Sequence, residues 1–208
     1  DPQVIYDTNI ALVDKIITAL EETGSKAHVL FSSSSQEERD NLYGKSKKEG
    51  REMFIKWAEK SGGNFTGLII PNVFGPFGKP NYNSFIATFC HQLTHGEIPK
   101  IDNDGVVHLI YVGELVQEII GQINLGESKA VYEVPYTSTN KVSEVLAKLD
   151  NYKNLYFHGN EIPELKTDFD YHLFNTFRCY FDIQNHYPIK FTKNTDPRGA
   201  FVEIIRLG

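Results

Sequence analysis

An α/β fold built on a mainly parallel sheet is predicted by two features of the sequence. Short apolar runs that suit strands buried on both faces recur along the chain, and segments with helical spacing of apolar residues separate them. Strands that alternate with helices in this way form βαβ units, in which the strands run parallel. The 208 residues are enough for one domain with a sizeable core and part of a second.

The first part of the chain predicts two helices and two buried strands. Residues 7–23 carry apolar side chains at helical spacing and stop at Gly24, a common residue after a helix end. The run AHVLFS then predicts a strand, and residues 41–61 predict a second helix that a glycine pair ends. The run FTGLIIP predicts a second buried strand, which Pro71 closes.

A loop rich in Gly, Pro and Asn, NVFGPFGKPNYN, leads into the rest of the chain. Residues 84–94 predict a helix, VVHLIYV a strand, GELVQEIIGQI a helix, AVYEVP a strand and KVSEVLAKL a helix. Residues 151–182 are rich in aromatic and acidic side chains with weak helical periodicity, and we interpret them as helical cover packed on the sheet. The tail returns to strand-like residues around a DPRG turn.

The composition narrows the classes of partner. The net charge is −6 and the basic residues do not form one long block, which argues against nucleic acid as the main partner. No apolar stretch approaches the roughly 20 residues of a membrane helix, and no secretory signal is recognised. We therefore expect no membrane contact and a cytoplasmic location, while a small molecule that carries phosphate stays compatible with the charge.

The cysteine and histidine patterns predict no metal site. Cys90 and Cys179 lie far apart and outside any CxxC pattern, so we expect buried free thiols. His91 and His95 have the i, i+4 spacing of a helical metal pair, but no HExxH motif and no acidic third ligand accompany them.

The segment SSSSQEERDNLYGKSK predicts a catalytic trio of Ser34, Tyr43 and Lys47. Tyr43 and Lys47 would lie one turn apart on one helix face, where the ammonium group lowers the pKa of the phenol from about 10 toward the range of a general acid or base. Ser34 ends the preceding strand, and sites in open α/β sheets lie at the carboxyl ends of strands. The alternative is a serine-rich turn before an ordinary helix, and strand and helix context favours the site.

These motifs resemble a known family. The sequence resembles the extended short-chain dehydrogenases/reductases (SDR) that act on nucleotide sugars. Four segments carry the similarity: LFSSSSQ, NLYGKSKKEG, IIPNVFGP and VVHLIYVGELV. The segments GKPNYNSFIATFCHQL and DPRGAFVEI narrow the resemblance to the CapF-type capsular-polysaccharide proteins, in which a reductase domain precedes a cupin domain. The resemblance implies a Rossmann-like parallel sheet with helices, incomplete here, and a C-terminal helical substrate-binding part. Residues 1–185 would be the C-terminal portion of the reductase domain, and residues 186–208 the start of a truncated cupin domain.

The resemblance also implies a role for each member of the trio. Tyr43 would be the catalytic acid/base, and Lys47 would hold the nicotinamide ribose while lowering the pKa of Tyr43. Ser34 would donate a hydrogen bond to the reacting sugar oxygen. The backbone at Pro71 and Val73 would approach the nicotinamide.

Further residues are implied in binding the substrate. Asn72 would contact the nucleotide diphosphate. For the segment NVFGP, a plain turn at Gly75-Pro76 is the alternative. Three residues of the next loop would line the sugar or nucleotide pocket: Asn81, Tyr82 and Asn83. His108 lies where many relatives carry a pyrophosphate-binding Arg, which leaves the anchoring of the diphosphate open. Other basic residues of the Tyr43 helix are expected on its solvated face: Lys45, Lys48 and Arg51.

The function that the resemblance implies is NADPH-dependent reduction of a UDP-4-keto-6-deoxy-HexNAc sugar, on the route to an N-acetyl-L-fucosamine precursor of capsule or O-antigen. NADP is the expected cofactor, with NAD as the alternative. A nucleotide-sugar 4-epimerase or dehydratase with bound NAD is a second interpretation, because the same trio serves both. A non-catalytic SDR-like module that binds a nucleotide or a partner protein is a third.

The glycine-rich turn that seats a pyrophosphate in this family does not occur in the sequence. We therefore expect a fragment that lacks the N-terminal glycine-rich half and most of the cupin, and that is inactive without the missing half. The flank of AHVLF would then be an apolar sheet edge, which favours pairing with another copy and predicts a homo-oligomer.

Overall fold

The structure is a computed structural model that describes residues 1–186, 188, 190–204 and 206–207. The described elements in chain order are α1 (Pro2–Glu22), β1 (His28–Ser34), a 3₁₀ turn (Ser35–Glu38), α2 (Leu42–Ser61), β2 (Asn64–Ile70), β3 (Asn72–Phe74), α3 (Phe85–Thr94), β4 (Val106–Tyr111), α4 (Val112–Leu125), β5 (Lys129–Glu133), β6 (Ser138–Lys141), α5 (Val142–Tyr152), a π-helical segment (Lys153–His158), β7 (Glu161–Ile162), α6 (Asp168–Arg178), α7 (Ile183–His186), β8 (Lys193–Asp196), β9 (Gly199–Val202) and β10 (Arg206–Leu207).

The chain divides into two compact units. The first comprises Asp1–Val73 and Val112–Tyr136, and the second comprises Phe74–Tyr111 and Thr137–Gly208. The cupin start expected at 186–208 includes residues 187, 189, 205 and 208, which lie outside the described residues. The proposed boundary at residue 185 stays a prediction.

The first unit contains a parallel sheet with the strand order β1-β2-β5. β2 is buried from Phe65 to Ile70, as its continuous apolar run predicts. β1 pairs with β2 along its whole length, and Ser34 lies opposite Ile70. The predicted α/β fold with parallel strands is confirmed, and the two strands end at the same edge of the sheet.

Helices α1 and α2 pack together in this unit. Val13 of α1 joins Phe54 and Trp57 of α2 and Phe65 of β2 in one buried cluster. α1 begins at Pro2, ahead of the apolar spacing that predicts it, because the Asp1 carboxylate caps the helix by accepting from the Gln3 amide at 2.9 Å.

The second helix has the bounds that the sequence predicts. The Asn41 side chain caps α2 by accepting from the Gly44 amide at 2.7 Å. Gly62 ends the helix with a φ of +72°, a left-handed conformation that glycine adopts without strain. The predicted helix that carries Tyr43 and Lys47 is thus present.

The second unit has its own core and an antiparallel strand pair. β4 is the strand predicted from VVHLIYV, but it pairs antiparallel with β6, a strand that the sequence analysis did not predict. The core is formed by buried side chains from the three helices α3, α5 and α6 and from the strands, among them Ile86, Leu109, Val145, Leu149, Leu173 and Phe177. The tail forms the hairpin β8-β9 around the predicted DPRG turn, with Asp196 opposite Gly199.

Asp170 closes the start of α6 in the second unit. Its carboxylate accepts from the Thr167 amide at 3.0 Å and from the Thr167 hydroxyl at 2.8 Å, while Lys148 Nζ lies 2.6 Å away. Burial alone would raise the pKa of Asp170, but the hydrogen bonds from Lys148 and Thr167 outweigh it and the pKa is lowered.

Replacing Asp170 with Asn is expected to lower the free energy of unfolding at pH 7 by about 1–3 kcal/mol, since charge-assisted hydrogen bonds and a helix cap are lost. The folded carboxyl binds protons more weakly than the unfolded one, so its stabilising effect is complete above its ordinary pKa of 3.8 and is lost below it, as the pH falls through the lowered pKa of the folded state. The difference between the two proteins in urea unfolding should therefore shrink below about pH 4.

Asp168→Asn is the matched control, because Asp168 lies in the same helical turn and is exposed. We expect it to change the free energy of unfolding by less than about 0.5 kcal/mol. Equal effects of the two substitutions, or an Asp170 effect independent of pH, would contradict the assigned role.

Candidate active site

The candidate site lies at the carboxyl edge of the parallel sheet in the first unit. Ser34 is the last residue of β1, and its partner Ile70 is the last residue of β2. Pro71 follows directly, so the ends of both strands bring sequence-predicted residues to one edge. This is the edge at which open parallel sheets bind ligands.

Lys47 reaches from α2 to the end of β1. Its Nζ atom donates a hydrogen bond of 3.1 Å to the Ser32 carbonyl oxygen. The same atom lies 5.7 Å from the centre of the Tyr43 ring and 5.2 Å from the centre of the Phe31 ring. Burial lowers the pKa of Lys47. The ammonium group is therefore held beside Tyr43 by backbone and rings.

Tyr43 lies in the first turn of α2 and is half-buried. Its carbonyl oxygen accepts from the Ser46 hydroxyl at 2.8 Å, and Asn9 Nδ2 donates to the same hydroxyl oxygen at 2.9 Å. The backbone at Tyr43 is thus connected to α1 through two hydrogen bonds. Tyr43 and Lys47 share one helix face, as their spacing predicts.

Ser34 links the strand to the 3₁₀ turn. Its Oγ atom accepts from the Gln36 amide at 3.2 Å, so the side chain caps the turn. A hydroxyl that accepts one hydrogen bond keeps its own hydrogen for donation. Ser34 is half-buried and can donate to an oxygen at the sheet edge.

A buried ion pair next to the trio was not predicted. Glu37 of the 3₁₀ turn accepts from Arg51 Nη2 at 2.7 Å and from Arg51 Nε at 2.9 Å, and Ser33 Oγ donates to the same carboxylate. The side chains of Arg51 and Glu37 are only 10% and 4% exposed. The expectation that Arg51 lies on the solvated face is wrong, because Glu37 and the Ala130 carbonyl at 3.4 Å provide acceptors for its donors inside the unit.

The other two lysines behave as the sequence predicts. Lys45 pairs with Asp40 at 2.6 Å, and Lys48 lies 3.5 Å from Glu38, with all four side chains substantially exposed.

Burial on its own would raise the pKa of Glu37, but the hydrogen bonds from Arg51 and Ser33 and the nearby charges outweigh it and the pKa is lowered. The carboxylate of Glu37 is therefore ionised at neutral pH.

The remaining predicted residues fall into two groups. Pro71 and Val73 are half-buried and Asn72 is exposed, all three directly after β2 in the first unit. The loop triplet is exposed and belongs to the second unit: Asn81, Tyr82 and Asn83. Asn81 has a φ of +55° and its amide donates to Thr88 Oγ1 at 2.9 Å, while Lys79 Nζ lies 5.4 Å from the centre of the Tyr82 ring.

The edge of the first unit fits a nicotinamide nucleotide. An ammonium group carries three donors, so Lys47 can bond the two hydroxyls of a ribose in addition to Ser32. A phenol beside it can give or take a proton.

His108 of the second unit is exposed, and its Nδ1 atom lies 3.1 Å from Thr139 Oγ1. Among the residues that the structure describes, no group of His, Cys, Asp and Glu suits a metal ion, and no helix is long and apolar enough to span a membrane.

Comparison with known proteins identifies the family of the chain. Residues 1–134 match the NAD dependent epimerase/dehydratase family. A curated UDP-2-acetamido-2,6-beta-L-arabino-hexul-4-ose reductase of Pseudomonas aeruginosa is 27% identical over 99% of the chain and 55% of its own length.

Solved structures give the same result for the fold. The capsular polysaccharide assembling protein CapF from Staphylococcus aureus is 31% identical, with a TM-score of 0.82 over 93% of the chain and 54% of CapF. A UDP-N-acetylglucosamine 4-epimerase from Methanobrevibacter ruminantium shares the fold at 19% identity, with a TM-score of 0.69 over 83% of the chain and 68% of the epimerase. The chain spans about half the length of the reductase and of CapF.

Proposed function

The chain belongs to the NAD dependent epimerase/dehydratase family, and from that premise we propose that the protein containing it is an NADPH-dependent reductase of a UDP-4-keto-6-deoxy-HexNAc sugar. The observation that carries the proposal is the position of Lys47, whose Nζ atom is held between the Ser32 carbonyl oxygen and the Tyr43 ring. The similarity to a UDP-sugar reductase along 99% of the chain supports this substrate class. The product would be a precursor of N-acetyl-L-fucosamine for capsule or O-antigen.

Each residue of the trio has one task in this proposal. A nicotinamide held by Lys47 and by the backbone at Pro71 and Val73 would supply the hydride that reduces the ketone carbon. Ser34 donates a hydrogen bond to the ketone oxygen and stabilises the negative charge that develops there. Tyr43 gives its proton to that oxygen as general acid.

Lys47 acts on both the cofactor and Tyr43. Its ammonium group donates to the ribose hydroxyls and favours the ionised form of Tyr43 by its charge. Because burial already lowers the pKa of Lys47, its proton is held less tightly than that of an exposed lysine. Tyr43 and Lys47 are therefore proposed to contact the cofactor, together with the backbone at Pro71 and Val73.

The substrate contacts are proposed on the same basis. Ser34 and Asn72 would contact the sugar and the diphosphate at the edge of the first unit. The loop residues Asn81, Tyr82 and Asn83 are exposed and would contribute to the sugar or nucleotide pocket. We also propose that residues 1–185 form the reductase portion. The protein is proposed to be a homo-oligomer in the cytoplasm, with neither nucleic acid nor membrane as a partner.

A 4-epimerase or dehydratase that keeps NAD bound is the second candidate. The trio serves this chemistry equally, because an epimerase also moves a hydride and a proton at the same carbon and oxygen. A solved 4-epimerase shares the fold of the chain, which is the observation that favours this candidate.

Cofactor consumption separates the two candidates in the full-length protein. A reductase is expected to oxidise one NADPH for each 4-keto sugar converted, measured by comparing the loss of NADPH absorbance with the amount of product separated by chromatography. The matched control is the same reaction with NADH, which should be slower. Turnover of sugar without net loss of NADPH would rule out the reductase and favour the epimerase or dehydratase.

A further inference from the structure

The buried ion pair of Glu37 and Arg51 lies between the segments that carry the candidate trio. The two side chains form a fork, with Arg51 Nη2 2.7 Å from Glu37 Oε2 and Arg51 Nε 2.9 Å from Glu37 Oε1. Such bidentate pairs fix the relative orientation of the two groups as well as their distance. Both side chains are almost fully buried, so solvent does not screen the contact.

One end of this pair is connected to Ser34. Ser33 donates from its hydroxyl to Glu37, and Ser33 and Ser34 are consecutive residues of β1 whose side chains point to opposite faces of the sheet. Glu37 lies in the 3₁₀ turn that Ser34 caps. The position of Glu37 therefore sets both the end of the strand and the turn that follows Ser34.

The other end is connected to Lys47. Arg51 lies four residues after Lys47 in α2, so both side chains leave the same face of the helix one turn apart. Lys47 reaches the Ser32 carbonyl on the same strand end from which Ser33 reaches Glu37. α2 is thus attached to the end of β1 at two successive turns.

The sheet leaves Arg51 little freedom to move. A Cβ atom on Gly67 of β2 would lie 2.5 Å from Arg51 Cδ, so the arginine stem crosses the strand where the sequence has no side chain. Beyond this crossing, Arg51 Nη1 donates to the Ala130 carbonyl of β5 at 3.4 Å. Arg51 therefore fixes the position of α2 relative to the three strands β1, β2 and β5.

We propose that Glu37 and Arg51 are positioning residues that fix the strand end carrying Ser34 relative to the helix carrying Tyr43 and Lys47, an inference that rests on the proposed function. Neither residue is among those proposed to contact cofactor or substrate, and they act by fixing the strand end and the helix relative to each other. Misplacement of reacting groups by about 1 Å is enough to lower a rate by roughly 10²-fold. Lys47 is one of four residues proposed to contact the cofactor, so a small displacement is expected to lower kcat far more than cofactor affinity.

The exposed pair of Glu38 and Lys48 provides a matched control. It joins the same 3₁₀ turn to the same helix, with Lys48 Nζ 3.5 Å from Glu38 Oε1, but the two side chains are 45% and 82% exposed. Exposed ion pairs of this kind contribute little to the free energy of unfolding. Glu38→Gln removes one charge from the same turn without touching the buried fork.

The test compares Glu37→Gln, Arg51→Lys and Glu38→Gln in the full-length protein. Glu37→Gln is expected to lower kcat by roughly 10–10²-fold with KM and NADPH affinity changed by less than about threefold. Arg51→Lys keeps the charge but loses the fork, so it should retain more activity than Glu37→Gln. Glu38→Gln should match the parent protein.

A readout that needs no substrate comes from crystal structures of the variants. The distance from Lys47 Nζ to the Ser32 carbonyl is 3.1 Å in the intact arrangement and should lengthen in Glu37→Gln but not in Glu38→Gln. If Glu37→Gln does not fold, Ser33→Ala decides the question, because it removes one hydrogen bond and should give a smaller loss of kcat with the same unchanged KM.

The outcomes distinguish this inference from the proposed function. Loss of thermal stability in Glu37→Gln or Ser33→Ala with kcat unchanged would overturn the positioning role and leave the pair as a purely structural contact. Equal losses of kcat in Glu38→Gln and Glu37→Gln would also overturn it. Failure of the proposed function shows instead as retained turnover when Tyr43 itself is replaced.

Discussion

Replacing Tyr43 with Phe is expected to lower kcat of the full-length protein by about 10²–10⁴-fold, the usual contribution of a positioned general acid. The ring that lies 5.7 Å from Lys47 Nζ is retained, so packing in the first turn of α2 should be unchanged. Only the hydroxyl that would protonate the sugar oxygen is removed. Steady-state kinetics and NADPH titration check the result, with affinity for NADPH changed by less than about threefold if binding and catalysis separate as proposed.

Tyr171→Phe is the matched control for this experiment. Tyr171 is 52% exposed on α6 in the second unit, and it has no place in the proposed site. We expect its kcat to equal that of the parent protein. An unaffected rate in Tyr43→Phe would instead remove Tyr43 from the chemistry and favour a non-catalytic module that binds a nucleotide or a partner protein.

Replacing Gly44 with Ala is expected to lower kcat by roughly 10²-fold, because residue 44 directly follows Tyr43 at the start of α2. A Cβ atom at this position would lie 2.0 Å from the Gln36 carbonyl oxygen, far inside the roughly 3.3–3.6 Å of even a close carbon–oxygen contact. The obstacle is backbone, so the 3₁₀ turn and the helix start must move apart. That movement displaces Ser34, which caps the turn, relative to Tyr43.

Gly121→Ala is the control for the glycine substitution. Gly121 lies inside α4, and apart from its chain neighbours and the adjacent backbone of the helix, no described atom lies within 4 Å of the position that its Cβ would take. Because alanine favours a helix interior over glycine, this change should raise the free energy of unfolding by about 0.5–1 kcal/mol and leave kcat unchanged. Thermal unfolding and kinetics on both variants make the comparison; similar kinetics in the two would contradict the role given to Gly44.

Much of the fold could be predicted because its signals are local. The buried run of β2 and the capped, glycine-ended α2 are each specified by residues within the element itself. The pairing of β4 with β6 depends on contacts between distant segments. β6 has the sequence STNK, which carries no apolar alternation, so its strand forms through pairing and not through its own pattern.

The trio could be predicted for the same reason, and its supporting residues could not. Tyr43 and Lys47 are four apart on one helix, a spacing visible in any sequence. Arg51 shares a charged helix with Lys45 and Lys48. Its burial depends on the carboxylate of Glu37 and on the missing side chain at Gly67 of β2, which leaves room for the arginine. Three separated segments have to be brought together before Arg51 differs from its neighbours.

The hydrogen bond between Arg51 and the Ala130 carbonyl has a consequence for biosynthesis, because its partners are 79 positions apart while Arg51 and Glu37 are 14 apart. At about 5–20 residues per second, a ribosome needs roughly 4–16 s to add the segment between Arg51 and Ala130. From the addition of Ile70 until the end of that interval, β1, the 3₁₀ turn, α2 and β2 have been synthesised, whereas β5 is still incomplete. The ion pair can form in the nascent chain before the neighbouring strand exists, so the unit acquires its helix attachment early and its third strand late.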